Sequence, residues 1–227
     1  RMSFKVPDID LPDGGLNIRL IDTPHMMEAR LLDYKVAAAE AFARANRIDR
    51  RVLGKQGARI GIIAAGKNWL DVVHGMSLLN VSEEAAKQLG ITTYKLAQTW
   101  PLDKRSFLEW AEDLELIVVV EEKRKLIEGQ VKEALFDDLK GRRVFGATKG
   151  NTHKPLFHSK SALDASYIAE QIGRIFVEEG CSNELIEQGL ARLSEARRAD
   201  NASDIATRMP YFCAGCPHNS STKVPEG

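Results

Sequence analysis

Leu114-Glu115-Leu116-Ile117-Val118-Val119-Val120 is the clearest strand in the sequence. It is a short apolar run, and charge follows it at once in Glu121-Glu122-Lys123-Arg124. Upstream, Asp103 to Asp113 reads as a helix, preceded by Trp100-Pro101-Leu102, which ends a second strand at Ile91 to Leu96. Before that strand, Ser82 to Leu89 is a helix with Ser82 as N-cap and Gly90 closing it. Lys67 to Leu79 is another helix, with Leu70, Val73 and Met76 or Ser77 on one side. Arg59 to Ala65 is a strand of the kind buried on both faces, ending in Gly66. Downstream, Lys123 to Leu139 is a charged amphipathic helix. Gly141 follows it, and Arg142 to Phe145 is a short strand. Strands alternating with helices mean βαβ units. The expected fold class is therefore α/β: a three-layer α/β/α arrangement around a mainly parallel sheet, with right-handed crossovers.

The flanks differ in character. Residues 1–25 are rich in Pro, Gly and Asp and read as an extended connecting segment. Met26 to Asn46 turns helical, with Leu31, Leu32, Lys35, Val36, Ala39, Phe42 and Ala43 at spacings of three and four. Thr23 is its expected N-cap, with Pro24 at the first helical position. The Arg/Lys-rich stretch at 47–59 reads as a solvated linker. Residues 161–180 and 182–197 read as two helices hinged at Gly180-Cys181-Ser182, and Ala199 to Met209 as a linker. The expected organisation is a linker and helix at 1–50, an α/β domain at 51–180, a helix and linker at 181–207, and a new domain starting at 208–227.

Composition narrows the function classes. The chain has 227 residues, 44% hydrophobic and 28% charged, as ordinary soluble domains do. Lys plus Arg number 32 and Asp plus Glu 32, which argues against a general nucleic-acid binder. No apolar run approaches the ~20 residues a membrane helix needs, and Arg1-Met2-Ser3-Phe4 opens no secretory signal. Three cysteines, two of them clustered, fit a reducing, cytoplasmic setting.

Several motifs compete for chemistry. Gly61-Ile-Ile-Ala-Ala-Gly66-Lys67-Asn68 nearly matches a P-loop. Its intervening residues belong inside a strand, though, and Asn68 replaces the hydroxyl that would hold magnesium. The expectation is a strand ending in Gly66, with a helix N-terminus at an edge able to hold a ligand. Glu121, Glu122 and Glu128 stand where α/β sheets put their crevice, so a paired acid could serve proton transfer. The structural alternative is the favoured one: a Glu complementing a helix start, and Glu128-Lys132 as an i,i+4 pair. His25, His74, His153 and His158 are scattered, and Trp69, Trp100 and Trp110 are core or interface aromatics.

Cys213-Ala-Gly-Cys216-Pro-His218 stands apart. Two thiols three apart, with Gly between them, can aim both sulfurs at one metal or iron–sulfur cluster. Thiol redox pairs use the same spacing, but expect it at a helix start after a strand. Zinc could recruit His218 and Cys181 as well. Half a site near the last residue, with no Met at position 1, suggests a fragment whose remaining ligands lie elsewhere. A non-catalytic interaction module closed by a zinc knuckle is the alternative.

The stretch Arg208-Met-Pro-Tyr-Phe-Cys-Ala-Gly-Cys-Pro-His to Gly227 resembles the start of the thiamine-diphosphate domain of indolepyruvate:ferredoxin oxidoreductases. These are a branch of the 2-oxoacid:ferredoxin oxidoreductases. Ile60 to Lys67, Gly90-Ile91, Lys95 to Asp103 and Val118 to Glu128 resemble that family's second domain, itself similar to the C-terminal domain of transketolases. Gly14 to Asn46 resembles the linker before it. The resemblance covers nearly the whole chain.

It implies a parent enzyme, a homodimer, that oxidatively decarboxylates indolepyruvate or another aryl 2-oxo acid to an acyl-coenzyme A. Ferredoxin would accept the electrons. The implied cofactors are thiamine diphosphate, magnesium and a 4Fe-4S cluster. Cys213 and Cys216 match the family's two cluster ligands, and His218 is placed near the cofactor diphosphate. Pro217-His218 departs from the Gly usual in pyruvate- and oxoglutarate-type relatives. The Gly-Asp-Gly…Asn motif of thiamine enzymes is absent from the sequence, so this stretch alone is expected to bind no thiamine tightly and to be inactive. Its implied role is to brace the cofactor-binding domains.

Overall fold

The computed structural model describes residues 3–137, 141–152, 154–202 and 211–223. They fall into two compact units, divided between Leu193 and Ser194. The first holds a five-stranded sheet: β1 Arg50–Leu53, β2 Ile60–Ala65, β3 Ile91–Leu96, β4 Leu116–Val120 and β5 Arg143–Phe145. The strand order is β1-β3-β2-β4-β5. β2, β3, β4 and β5 run parallel, and β1 lies antiparallel on β3.

Between the strands run α3 Gly66–Leu78, α4 Glu83–Leu89, α5 Lys104–Ala111 and α6 Leu126–Leu135. They follow α1 Pro24–Arg30 and α2 Val36–Asn46, which a π-helical turn at Leu31–Lys35 joins. After β5 come α7 Ala165–Glu178 and α8 Glu184–Ala202, and the second unit carries the four-residue α9 His218–Ser221.

The period-two geometry of a strand explains the unbroken apolar runs. Leu116, Val118 and Val120 of β4 join Ile60, Ile62 and Ala64 of β2 on one face. There they pack with Trp69, Val72 and Met76 of α3 and Ile168, Ile172 and Phe176 of α7. Ile117 and Val119 point the other way, beside Ile63 of β2 and Tyr94 of β3, and pack with Phe107 and Trp110 of α5 and Ile127 and Val131 of α6. Both faces of the sheet are therefore covered, giving the three layers expected from the alternating pattern.

The local signals held where they rest on backbone chemistry. The Thr23 hydroxyl accepts the Met26 N–H, and Ser82 Oγ accepts the Ala85 N–H at 3.1 Å. Gly90 ends α4 at φ +70°, a left-handed conformation that glycine adopts without penalty.

Three expectations need correction. Residues 47–59 are not simply a linker: Arg50–Leu53 form the antiparallel edge strand, which pairs through Arg51↔Tyr94 and then breaks register. Four residues with two arginines carry too little apolar signal to read as a strand alone. The buried stripe of α3 is Trp69, Val72 and Met76, leaving Leu70 67% and Val73 48% exposed. The helix starts directly off β2 at Gly66, so the strand exit sets its phase. Finally, α8 continues to Ala202, through residues read as linker. The rest of that stretch, with Arg208-Met209-Pro210 and His153, lies outside the described residues. Trp69 and Trp110 are core residues, whereas Trp100 is exposed.

Candidate functional site

The order of the parallel strands fixes where a ligand crevice can open. From β2 the chain travels through α3 and α4 on one face to β3. It then crosses back through α5 on the opposite face to β4, on the other side of β2. The connections leaving β2 and β4 thus diverge to opposite faces, and a gap remains at their carboxyl ends. A crevice of about 240 Å³ lies there, lined by Gly66 and Asn68 from the β2–α3 junction, Glu121 and Glu122 after β4, and Thr99 and Leu126.

The near-P-loop dissolves at this junction. Gly61 sits inside β2, opposite Thr92 and Ile117. A Cβ there would fall 2.6 Å from the Trp110 ring and 2.4 Å from Leu114 Cδ1, so packing requires the glycine. Gly66 alone lies at the crevice, opening α3 at φ +54°. The α3 start has no side-chain cap, so its amides face the carboxyl edge.

The carboxylates are structurally engaged. Glu121 Oε1 accepts the N–H groups of Leu126 and Ile127 at 3.0 and 2.9 Å, and its Oε2 accepts those of Ile127 and Glu128 at 3.0 and 3.2 Å. It thereby caps α6, which begins three residues later than the sequence pattern places it. Burial pushes the Glu121 carboxyl up, although the Ile127, Glu128 and Leu126 amides pull it back. Glu122 Oε2 accepts the Leu163 N–H at 2.9 Å. Glu128 binds Lys132 at 2.5 Å and takes the Ala147 N–H at 3.0 Å. Burial opposes its charge, but these two partners outweigh burial and hold its carboxyl below the usual range. The structural alternative for these acids is therefore the one the fold uses, including the i,i+4 pair.

One residue at the crevice carries a signal that sequence reasoning passed over. Asn68 is buried, and among the described residues its Oδ1 has no hydrogen-bond partner. An unmet buried acceptor costs about 1–3 kcal/mol and suits a ligand that donates a hydrogen bond. Sequence reasoning met it only as the residue that stands where a P-loop has its hydroxyl, two after Gly66.

The second unit carries the thiol pair. Gly215 at φ +80° turns the chain, and the Cys216 N–H donates to the Cys213 carbonyl at 3.0 Å. The Asn219 side chain donates to the same carbonyl at 2.9 Å. Cys213 is exposed and Cys216 partly so. The His218 ring stands 5.3 Å from that of Phe212. Two accessible thiols on one turn fit two of the four donors of an iron–sulfur or tetrahedral zinc site. Among the described residues no group of three or more His, Cys, Asp or Glu is placed to hold a metal. Cys181, considered as a zinc ligand, is buried in the core of the first unit, where burial pushes its thiol up, away from the thiolate a metal needs. His25, His74 and His158 are exposed.

Fold and crevice define a doubly wound α/β domain, accompanied by a separate unit that presents a thiol pair. The family model of the indolepyruvate oxidoreductase domain matches residues 50–200. The chain belongs to that family. It is 27% identical over 169 residues to the indolepyruvate oxidoreductase subunit IorA of Thermococcus kodakarensis, which covers 74% of this chain and 23% of the relative. A solved 2-oxoglutarate:ferredoxin oxidoreductase from Magnetococcus marinus, with 2-oxoglutarate, coenzyme A and succinyl-CoA bound, is 12% identical with a TM-score of 0.42. That match covers 67% of this chain and 23% of the other. The chain thus spans about a quarter of the length of each. Among the described residues, no helix is long and apolar enough to cross a membrane.

Proposed function

We propose that this chain is part of a larger enzyme that oxidatively decarboxylates indolepyruvate or another aryl 2-oxo acid. The observation that carries the proposal is the family match over residues 50–200. In the proposed reaction the bond between carboxylate and keto carbon breaks and carbon dioxide leaves. The sulfur of coenzyme A then bonds to the acyl carbon and its thiol proton is released. Two electrons pass, one at a time, to ferredoxin.

Thiamine diphosphate with magnesium supplies the electron sink for such a decarboxylation, and iron–sulfur clusters supply one-electron transfer. The Gly-Asp-Gly…Asn motif that holds thiamine diphosphate and magnesium is absent from these residues, so they would supply only part of that site. In our reading residues 208–227 begin the thiamine domain, Cys213 and Cys216 give two ligands to a 4Fe-4S cluster, and His218 lies near the cofactor diphosphate. The α/β domain at 51–180 braces the cofactor-binding domains of a cytoplasmic homodimer.

The test is to express the parent enzyme and follow indolepyruvate- and coenzyme A-dependent dye reduction. Activity with aryl 2-oxo acids is expected; failure with every aryl and branched 2-oxo acid would sink the reading. Metal analysis separates the alternative: iron with sulfide supports the oxidoreductase. Stoichiometric zinc, lost on Cys213→Ala, supports a zinc knuckle instead.

A further inference from the structure

The strongest unassigned feature lies outside the crevice, beside the edge strand β5. A pocket of about 590 Å³ opens there, and its wall includes Lys132 of α6, Arg142 and Arg143 at β5, and Lys149 and Asn151 of the turn beyond. Four cationic side chains from three neighbouring segments converge on it, and among the described residues that line it none is a carboxylate.

Carboxylates hold three of the four cations. Glu128 holds Lys132 at 2.5 Å, and Glu179 holds Arg143 through two contacts of 2.8 and 2.7 Å. Glu178 holds Lys149 at 2.8 and 2.6 Å. Arg142 is fixed by donating to the Leu114 and Glu112 carbonyls at 3.2 and 2.6 Å. The cations are therefore positioned in advance, which lowers the ordering cost of binding an anion. One wall also offers a flat surface: the Arg143 guanidinium lies 5.9 Å from the centroid of the Phe145 ring. A guanidinium stacked on an aromatic ring accepts a planar ring beside it.

We infer that this pocket binds a nucleotide-type phosphate ester, with the phosphates on Lys132, Lys149 and the arginines, and the base against Phe145 and Arg143. Ammonium and guanidinium groups in this arrangement are the usual partners of phosphate oxygens. The inference stands on the lining residues alone and does not require the reaction proposed above, whose coenzyme A is one ester of this class.

Calorimetric titration of this 227-residue chain with ADP, inorganic pyrophosphate and adenosine tests it. ADP is expected to bind with an affinity that falls as salt rises, pyrophosphate more weakly than ADP, and adenosine not at all. Lys149→Gln removes one cation and Asn151→Asp places a carboxylate at an exposed position of the turn. Each is expected to weaken ADP by about tenfold or more, with thermal unfolding confirming that both variants fold. Three outcomes overturn the proposal: no ADP binding at millimolar concentration, equal affinity in both folded variants, or adenosine binding as well as ADP. Pyrophosphate matching ADP would overturn the stacking of the base.

Discussion

The carboxyl edge of the sheet and the Cys213–Cys216 turn both present residues that a sequence reader takes for chemistry, and they answer differently. At the sheet edge Glu121, Glu122 and Glu128 find their partners within the first unit: helix amides, the Leu163 N–H, and Lys132 with the Ala147 N–H. At the turn, Cys213 and His218 are exposed and the backbone bonds that shape the loop leave the thiols accessible. These acids, bonded to helix amides, a loop amide and a lysine, serve the fold, whereas the accessible thiols are open to a ligand.

That contrast can be broken by experiment. The largest effect is expected at Gly61, since Val there would collide with Trp110 and Leu114. Gly61→Val should cost about 3 kcal/mol in urea unfolding. A loss below about 1 kcal/mol would mean that β2 and α5 pack less closely than described. Next is Glu121→Ala, which uncaps α6 and should cost about 2 kcal/mol, because a charged acceptor of three amides disappears. If that variant were as stable as the parent sequence, the acid would be available for catalysis after all.

A smaller and local effect concerns the N-terminal arm. The Arg30 guanidinium, aided by the Arg19 amide, holds the Asp22 carboxyl down at about 2. Its folded value is depressed, so its stabilisation is present above the unfolded value of about 4 and declines as pH falls from there through about 2. The protection of the α1 amides, measured against their intrinsic exchange rates, should therefore fall across that window, ahead of protection in the sheet. Protection unchanged there would show that the Arg30–Asp22 pair does not hold the arm. The smallest effect is expected for Cys213→Ala with Cys216→Ala. These should change the stability of this chain by less than about 0.5 kcal/mol, while removing iron from the parent enzyme. A large loss of stability would show that the thiols are structural.

Much of this was legible in the sequence because it rests on local chemistry. The apolar run at Leu114 to Val120 signalled a strand covered on both sides, which forms over Leu116–Val120, and Thr23, Ser82 and Gly90 mark helix ends by what their own atoms can bond or permit. The turn at Cys213–Cys216 was legible too, since Gly215 between the thiols marks the bend that the backbone makes there. The crevice was legible in part. Its edge was expected after Gly66 and Val120, yet Asn68 drew no notice as a buried acceptor.

Other features were settled only when distant segments met. The sequence by itself determined the fold class and the helix ends marked by Thr23, Ser82 and Gly90. The tertiary structure decided that Arg50–Leu53 join the sheet, since a short charged strand is stabilised by the neighbour it pairs with. It decided that α3 buries Trp69 in place of Leu70, since the exit from β2 sets the helix phase. It also decided that Lys132, Arg143 and Lys149 line one pocket, because three separated carboxylates hold them there, and no local pattern encodes a meeting of segments so far apart along the chain.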